Sequence, residues 1–295
     1  MEYICTDCPR ACGAKRGDDT PGGFCMSGAM PHIVRAAPHY GEEPCISGTR
    51  GSGAIFFSGC NLRCIFCQNH EISRACVGRG VSVDGLRDIM RRLRDEGVHN
   101  INLVTPTHYV RAIAAALDGL ELGIPVVWNS SGYESVDSLR RLEGLVQVYM
   151  PDMKYTSAAL ARRYSAAEDY FPVAAAAIFE MLRQRGEYVL DGEGLLRSGV
   201  LIRHLILPGA EENTRGVIDF VADNFAEGEV LFSLMSQYTP MPGAARCPEL
   251  ARRVSAQENA RMIAYMEQRG ICEGYWQDVD AATEEMIPEF DGTGV

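Results

Sequence analysis

The sequence has few basic residues and no long apolar run. Its 295 residues include 28 Lys and Arg against 39 Asp and Glu, which gives a formal net charge of −11 at pH 7. A nucleic acid is therefore not expected as a partner, because binding to a phosphate backbone needs clustered positive charge. The longest apolar stretches, such as Phe171–Phe179, fall short of the ~20 residues that a membrane span needs, so no membrane partner is expected.

The first residues also lack the basic and apolar regions of a signal peptide, which predicts a cytoplasmic location. The cytosol keeps thiols reduced, so the 11 cysteines are expected to bind metal rather than to form disulfides. Seven of them form two groups: Cys5, Cys8, Cys12 and Cys25 (the N-terminal cysteines), and Cys60, Cys64 and Cys67 (the cysteine trio). The remaining ones are interpreted as ordinary small side chains, namely Cys45, Cys76, Cys247 and Cys272.

Two regions differ in their residue patterns. Residues 1 to about 50 are rich in Gly, Pro and Cys without sustained periodicity, which is typical of a segment held together by metal. Residues 51–295 alternate between strand and helix patterns. The predicted strands are Ala54–Ser58, Ile101–Val104, Ile124–Trp128, Val146–Met150, Val200–Leu207 and Glu229–Met235. The predicted helices are Val83–Glu96, Tyr109–Leu117, Glu134–Leu142, 157–165, 173–185, Thr214–Ala226 and Ser255–Arg269.

Six strands that are each followed by helix predict an α/β fold, a partial (β/α)6 TIM-like barrel with its site at the carboxyl ends of the strands. A hairpin is expected at Asp191-Gly192. Asn213 or Thr214 is expected to cap one helix, and Ser255 the last one.

The cysteine trio follows the first predicted strand directly and spans eight residues. Three thiolates on one loop can hold three corners of a [4Fe-4S] cluster, whereas a fully held cluster takes four cysteines. The remaining iron is then open to a substrate, much as catalytic zinc keeps an open position. The alternative is a closed structural cluster or a zinc site, with Cys76 or His70 as the fourth ligand.

The C-x3-C-x2-C spacing of the trio, with Phe66 just before the last cysteine, resembles the motif of the radical S-adenosylmethionine superfamily. Residues 51–69 look like the branch of iron–sulfur proteins related to pyruvate formate-lyase activating enzyme. The resemblance implies a [4Fe-4S] cluster that cleaves S-adenosylmethionine reductively to a 5′-deoxyadenosyl radical. It also implies that Phe66 packs near the adenine.

The same resemblance extends to two further strand ends. In the activating enzymes, residues at the positions of Asn129 and Ser130, together with a Met-x-Asp that matches Met150 and Asp152, help to hold a monovalent cation beside the S-adenosylmethionine carboxylate. Oxygen ligands suit such a hard cation. Lys154 follows as the lysine of the family's Asp-x-Lys. The alternative for Asp152 is a helix cap or a loop carboxylate.

Arg203 lies inside an apolar run and needs a partner to offset its burial. The carboxylate of S-adenosylmethionine would match its planar fork, and a structural salt bridge is the alternative. The sequence departs from the superfamily after the second strand, where Thr105-Pro-Thr-His-Tyr109 replaces a Gly-Gly-Glu motif that binds the methionine amino group. Thr107 and the Thr105 carbonyl could accept that group instead. His108 could face the substrate or simply begin a helix.

The N-terminal cysteines offer a complete ligand set for tetrahedral zinc or for a second, closed cluster. The spacing fits both metals, and the iron–sulfur context favours a cluster. With no open position, such a site is expected to be structural or to relay electrons.

Three functions follow from these patterns. The resemblance implies that the radical takes a hydrogen atom from a backbone glycine of a partner enzyme, with flavodoxin or ferredoxin as the electron donor. The same chemistry on a small molecule or on another peptide is the first alternative. The second is a non-catalytic electron carrier, which would have no need of Asp152 and Arg203.

Overall fold

The computed structural model describes residues 2–18, 21–279 and 288–295. Within them, the strands are β1 Tyr3–Ile4, β2 Lys15–Arg16, β3 His32–His39, β4 Ser52–Phe57, β5 Arg79–Gly80, β6 Ile101–Val104, β7 Val126–Ser130, β8 Val148–Pro151, β9 Val189–Leu190, β10 Leu196–Leu205, β11 Leu231–Met235 and β12 Gly274–Trp276. The α-helices are α1 Pro44–Ser47, α2 His70–Ser73, α3 Val83–Asp95, α4 Val110–Leu117, α5 Val136–Arg140, α6 Ala158–Ser165, α7 Tyr170–Arg185, α8 Glu211–Asn224 and α9 Ala256–Gln268.

The main sheet runs in the order β12-β11-β10-β8-β7-β6-β4-β3-β5. Every pair from β4 to β12 along this order is parallel, so the carboxyl ends of those strands meet at one edge. The order is a path whose described ends are β12 and β5, and helices connect the parallel strands. The predicted partial barrel is confirmed.

Apolar residues fix this architecture. Every residue of β4, β6 and β7 is buried, as expected for parallel strands covered on both faces. The helix α3 shows how the outer layer forms. Ser82 caps its first turn by accepting a hydrogen bond from the Gly85 amide, and Leu86, Met90 and Leu93 turn inward.

β3 lies in the part of the chain for which the sequence predicted no periodic structure. It pairs antiparallel with β4, from Ile33 opposite Phe57 to His39 opposite Ser52. A register shift between Ile33 and Arg35 breaks its apolar alternation, which hides the strand from a search for period 2. The boundary drawn near residue 50 therefore falls inside the main sheet.

Of the predicted helix caps and the predicted hairpin, some are confirmed and one is wrong. Ser255 caps α9 in a capping box with Glu258, and β9 pairs antiparallel with the start of β10, as predicted. The prediction that Asn213 or Thr214 caps a helix is wrong, because α8 begins at Glu211. The Asn213 side chain instead accepts a hydrogen bond from the Thr156 amide, so it ties α8 to the loop after β8.

The last described segment, 288–295, lies against β3. The Gly292 amide donates to the Val34 carbonyl at 3.0 Å, and the Ala36 amide donates to the Thr293 carbonyl at 2.9 Å. Phe290 packs edge-on against Phe56, with 5.6 Å between ring centroids. Among the described helices, none combines the length and the apolar character needed to cross a membrane.

Candidate active site

A cavity of about 220 Å³ lies at the carboxyl ends of the parallel strands. Strand ends β6, β7, β8, β10 and β11 all contribute to its wall, as the barrel predicts. Ten of the residues expected from the sequence to bind the cluster or the cofactor line it, namely Cys60, Cys64, Phe66, Cys67, Thr105, Asn129, Ser130, Asp152, Lys154 and Arg203.

The cysteine trio occupies one wall of this cavity. Gly59 enters the loop with φ +85°, a conformation that favours glycine. Each sulfur accepts a hydrogen bond: Cys60 from the Leu62 amide at 3.3 Å, Cys64 from the Ser165 hydroxyl at 3.0 Å, and Cys67 from the Ser73 hydroxyl at 3.6 Å. Such donors stabilise negative charge on sulfur.

Burial raises the pKa of the Cys60 thiol above its ordinary range, and the neighbouring Cys64 and Cys67 sulfurs add to the rise. Metal binding supplies the positive charge that turns such thiols into thiolate ligands. Neither Cys76 nor His70 is among the residues that line the cavity. Cys76 lies by the Gly28 backbone instead. The donor set therefore fits a cluster with three cysteine ligands and an open iron.

The opposite end of the cavity carries a buried network of charges around Arg203. Its Nη1 donates to Glu42 Oε2 at 2.9 Å, its Nη2 to Asn129 Oδ1 at 2.7 Å, and its Nε to Asp152 Oδ1 at 3.2 Å. Glu42 Oε1 accepts a further bond from the Asn129 amide at 3.0 Å. Arg203 thus lines the cavity while held in salt bridges, so the structural alternative that the sequence left open is present in the fold.

Lys154 joins this network to the cysteine trio. Its Nζ lies 2.5 Å from Asp152 Oδ2. Burial opposes its charge, but Asp152 first and Cys64 next hold the pKa of Lys154 above its usual range. Burial likewise opposes charge on Asp152, and Lys154 and Arg203 outweigh it and lower the pKa of that carboxyl. Asp152 therefore already has two cationic partners.

Thr105 adopts φ +60° at the end of β6, an uncommon conformation for a β-branched residue. Its amide donates to the Asn129 carbonyl at 2.9 Å, which ties the two strand ends together. Strain of this kind costs on the order of 1–3 kcal/mol and clusters at functional sites. On the wall beside it, Phe66 packs against Tyr238 with 6.2 Å between ring centroids.

Three predicted site residues do not line the cavity. Thr107 is 1% exposed, and its hydroxyl donates to Glu134 Oε1 at 2.7 Å, because that buried carboxyl needs a partner. His108 Nε2 contacts the Ser58 carbonyl at 2.7 Å, and burial lowers the pKa of His108 to about 3. Of the two alternatives left open for His108, facing the substrate or beginning a helix, the structure has the second, since Thr107–Tyr109 forms a helical turn directly before α4. The Met150 side chain is fully buried in a hydrophobic cluster with Val127, Val148 and Leu201.

The N-terminal cysteines gather away from this cavity. Cys5, Cys8 and Cys25 are buried, and Cys12 is exposed. Burial raises the pKa of Cys8 to about 12, and the surrounding Cys25, Cys5 and Cys12 sulfurs raise it further. In the described part of the chain, no three Cys, His, Asp or Glu side chains converge on a point where a single ion could sit.

Two candidate functional residues, Glu42 and Glu134, were not predicted from the sequence. Glu42 follows β3 and accepts from Arg203, Asn129 and Asn102. Its only sequence signal was a pair of carboxylates before Pro44. Glu134 is 2% exposed, and burial raises its pKa to about 7. No motif marks it.

Comparison with known proteins bears on the fold and on the cysteine loop. Residues 54–170 match the family model described as Radical SAM superfamily. Uncharacterized protein MJ0674 of Methanocaldococcus jannaschii is 29% identical over 273 residues, which cover 89% of this chain and 74% of that protein.

Two crystal structures of Streptococcus suis SuiB share the fold with a TM-score of 0.51. The first is 14% identical and matches 75% of this chain; the second, bound to S-adenosylmethionine, is 13% identical and matches 80%. The chain spans about half the length of SuiB, 47% and 49% in the two structures.

Proposed function

Residues 54–170 match the family model of the Radical SAM superfamily, and on that premise we propose that the chain cleaves S-adenosylmethionine reductively and abstracts a hydrogen atom from a substrate. The observation that carries the proposal is the cavity itself. Three cysteine sulfurs occupy one wall, and a network of buried charges occupies the far end. An electron carrier would not need that second end.

Different residues of the cavity would hold the cluster and contact the adenine. Cys60, Cys64 and Cys67 would hold the cluster and leave one iron open. When bound, the cluster supplies the electron that splits S-adenosylmethionine into methionine and a 5′-deoxyadenosyl radical. Phe66 offers an apolar face for the adenine, and the cavity wall excludes water from the reaction.

The charged end would orient the amino-acid part of S-adenosylmethionine. Arg203 and Lys154 present positive charge to a carboxylate, while the Thr105 backbone and the Asn129 and Ser130 side chains offer polar partners to the ammonium group. A monovalent cation at Asp152 would compete with Lys154 and Arg203, which already bind both carboxylate oxygens. We therefore assign the orienting charge to these two side chains.

The test is anaerobic reconstitution with iron and sulfide, followed by dithionite and S-adenosylmethionine. Wild-type protein and the exposed-cysteine control Cys272→Ser should both form 5′-deoxyadenosine. Cys64→Ala should form none, because it removes one ligand of the catalytic cluster. Absence of 5′-deoxyadenosine from fully reconstituted wild-type protein would refute the proposal.

The second part of the proposal concerns the substrate that gives up the hydrogen atom. The likeness of residues 51–69 to activating enzymes supports a backbone glycine of a partner enzyme as the hydrogen source, with another peptide or a small molecule as the alternative. Incubation with selectively deuterated candidates, followed by mass analysis of 5′-deoxyadenosine, identifies the donor. We place the reaction in the cytoplasm, with flavodoxin or ferredoxin as reductant, because seven of the 11 cysteines have the spacing of metal ligands rather than of a disulfide framework.

A further inference from the structure

We propose that the N-terminal cysteines bind a second iron–sulfur cluster, which passes electrons from the surface to the cysteine trio. The relay part rests on the proposed function, since it needs a catalytic cluster to receive the electron. The ligand spacing alone fits zinc as well. The choice of iron–sulfur over zinc rests on two observations: no three of the described Cys, His, Asp or Glu side chains converge on a point for a single ion, and the N-terminal cysteines lie against the loop of the trio.

The loops are shaped around these sulfurs. The Cys5 amide donates to the Ala14 carbonyl at 2.9 Å, and the Gly13 amide donates to the Cys5 carbonyl at 3.2 Å, so the chain turns back on itself after Cys12. A side chain at Gly23 would lie 2.8 Å from the Cys12 sulfur. Glycine at that position lets the loop that carries Cys25 pass close to Cys12.

Arg16 supplies an independent sign that the site holds negative charge. It is 1% exposed, and its Nη2 lies 2.6 Å from the Cys25 sulfur. The other described contacts of its guanidinium are the carbonyls of Gly28 and His108, and its Nε has no partner among the described residues. A buried guanidinium requires a counter-charge. A centre with four thiolate ligands carries the negative charge that protonated thiols lack.

The loops that carry the N-terminal cysteines pack directly against the loop of the cysteine trio. Arg10 Nε donates to the Asn61 carbonyl at 2.9 Å, and Arg63 Nη2 donates to the Phe24 carbonyl at 2.7 Å. Each loop thus contributes one arginine to the other. At Gly59, a side chain would lie 2.6 Å from the Cys25 carbonyl oxygen. Since Cys60 is the next residue, the two groups of cysteines are neighbours along a packed stretch of backbone.

The exposure of the cysteines indicates where an electron would enter the protein. Cys12 is exposed, whereas Cys64 of the trio is buried and Cys60 and Cys67 are half-buried. Beside Cys12, the guanidinium groups of Arg10 and Arg63 stack on Phe24 at 4.0 and 4.4 Å from its ring centroid. An acidic carrier would meet positive charge there, although the chain has a net charge of −11. Zinc in this place could not transfer an electron.

The electron balance of the relay is simple. A low-potential one-electron protein carrier, of the flavodoxin or ferredoxin type, is oxidised by one electron. The N-terminal cluster is reduced by that electron and reoxidised when the electron moves on to the catalytic cluster. No bond forms or breaks in this step, and no proton moves.

The metal assignment is tested in the Cys64→Ala chain, whose catalytic cluster is disabled. After anaerobic reconstitution, about two or about four irons per chain should remain, as a four-cysteine [2Fe-2S] or [4Fe-4S] cluster requires. Dithionite should then produce an electron paramagnetic resonance signal of a reduced cluster. Zinc in place of iron, or no bound metal, would overturn the proposal. These readouts do not depend on S-adenosylmethionine, so they separate it from the proposed function.

The relay is tested with Cys12→Ser, which changes the exposed ligand, with Cys272→Ser as the matched control. Circular dichroism and the iron content of the trio check that the variant remains folded. Formation of 5′-deoxyadenosine driven by reduced flavodoxin should fall by an order of magnitude or more in Cys12→Ser. Formation driven by dithionite, which is small enough to reach the cavity, should persist. An equal response to both reductants would overturn the relay.

Discussion

Glu42 Oε2 and Arg203 Nη1 lie 2.9 Å apart, although 161 positions separate the two residues in the chain. Both side chains are largely buried, with exposures of 10% and 13%. The contact joins the loop after β3 to β10, and it sets the position of the guanidinium at the charged end of the cavity.

Glu42→Ala leaves part of the buried charge of Arg203 without a partner and removes the acceptor of two asparagine amides. Breaking one side of a buried ion pair costs about 3 kcal/mol. We expect a loss of that size in the free energy of unfolding, measured with urea. Glu267→Ala, at an exposed helix position, is the control and should change little. Equal stability of the two variants would contradict the role of Glu42.

Lys154→Met removes the positive charge that lies between Asp152 and Cys64. A cluster loses electron affinity when nearby positive charge is removed. We expect its reduction potential, measured by a redox titration followed by electron paramagnetic resonance, to become more negative by tens of millivolts. Lys154→Arg keeps the charge and should stay near the wild type. A similar shift in both variants would point to altered packing instead.

Glu134→Gln should change the pH dependence of stability. Burial raises the pKa of Glu134 from its ordinary 4.5 to about 7, so its protonated form stabilises the fold below pH 4.5, and that stability is lost as pH rises through 7. The loss corresponds to roughly 3 kcal/mol for a shift of this size. In the variant, the free energy of unfolding should fall less between these pH values. Glu121→Gln, at the surface, should keep the wild-type slope.

Thr107→Val separates structural support from cofactor binding. The hydroxyl of Thr107 serves Glu134 and not the cavity. Its removal should lower the free energy of unfolding by about 1–3 kcal/mol, because a buried carboxyl loses a donor. The KM for S-adenosylmethionine in 5′-deoxyadenosine formation should remain that of the wild type. A large rise in KM would restore the role that the sequence suggested for this residue.

Phe290→Ala tests the wall formed by segment 288–295. Pro288 lines the cavity, and Phe290 packs on Phe56, which lines it too. Loss of the ring should open this side to small molecules. We expect the cluster absorbance to bleach faster in air than in the wild type. Phe179→Ala, at a 43% exposed position elsewhere, is the control.

Six of the seven described parallel strands could be predicted because each is a short apolar run and needs only local sequence to be recognised; β12 was not predicted. β6 has its predicted bounds, and β4 lies within two residues of its own. Likewise, polar residues at the strand ends reach the cavity because parallel strands share one edge. Asn129, Asp152 and Arg203 meet there for that reason.

Contacts between distant segments could not be predicted in this way. Glu42 reaches Arg203 only because β3 turns back along β4, and a register shift conceals β3 in the sequence. The misplaced role of Thr107 has the same origin. From the sequence, its hydroxyl could have faced either the cavity or the core. In the structure it donates to the buried Glu134, which lies 27 positions away in the chain.

The backbone bonds between β3 and segment 288–295 have a consequence for how the protein is made. Arg35 and Glu289, which also bond to each other, stand 254 positions apart. During synthesis every strand of the barrel emerges from the ribosome before Phe290 can reach Phe56. The contacts that complete this side of the cavity therefore form only after every described strand of the barrel has been synthesised.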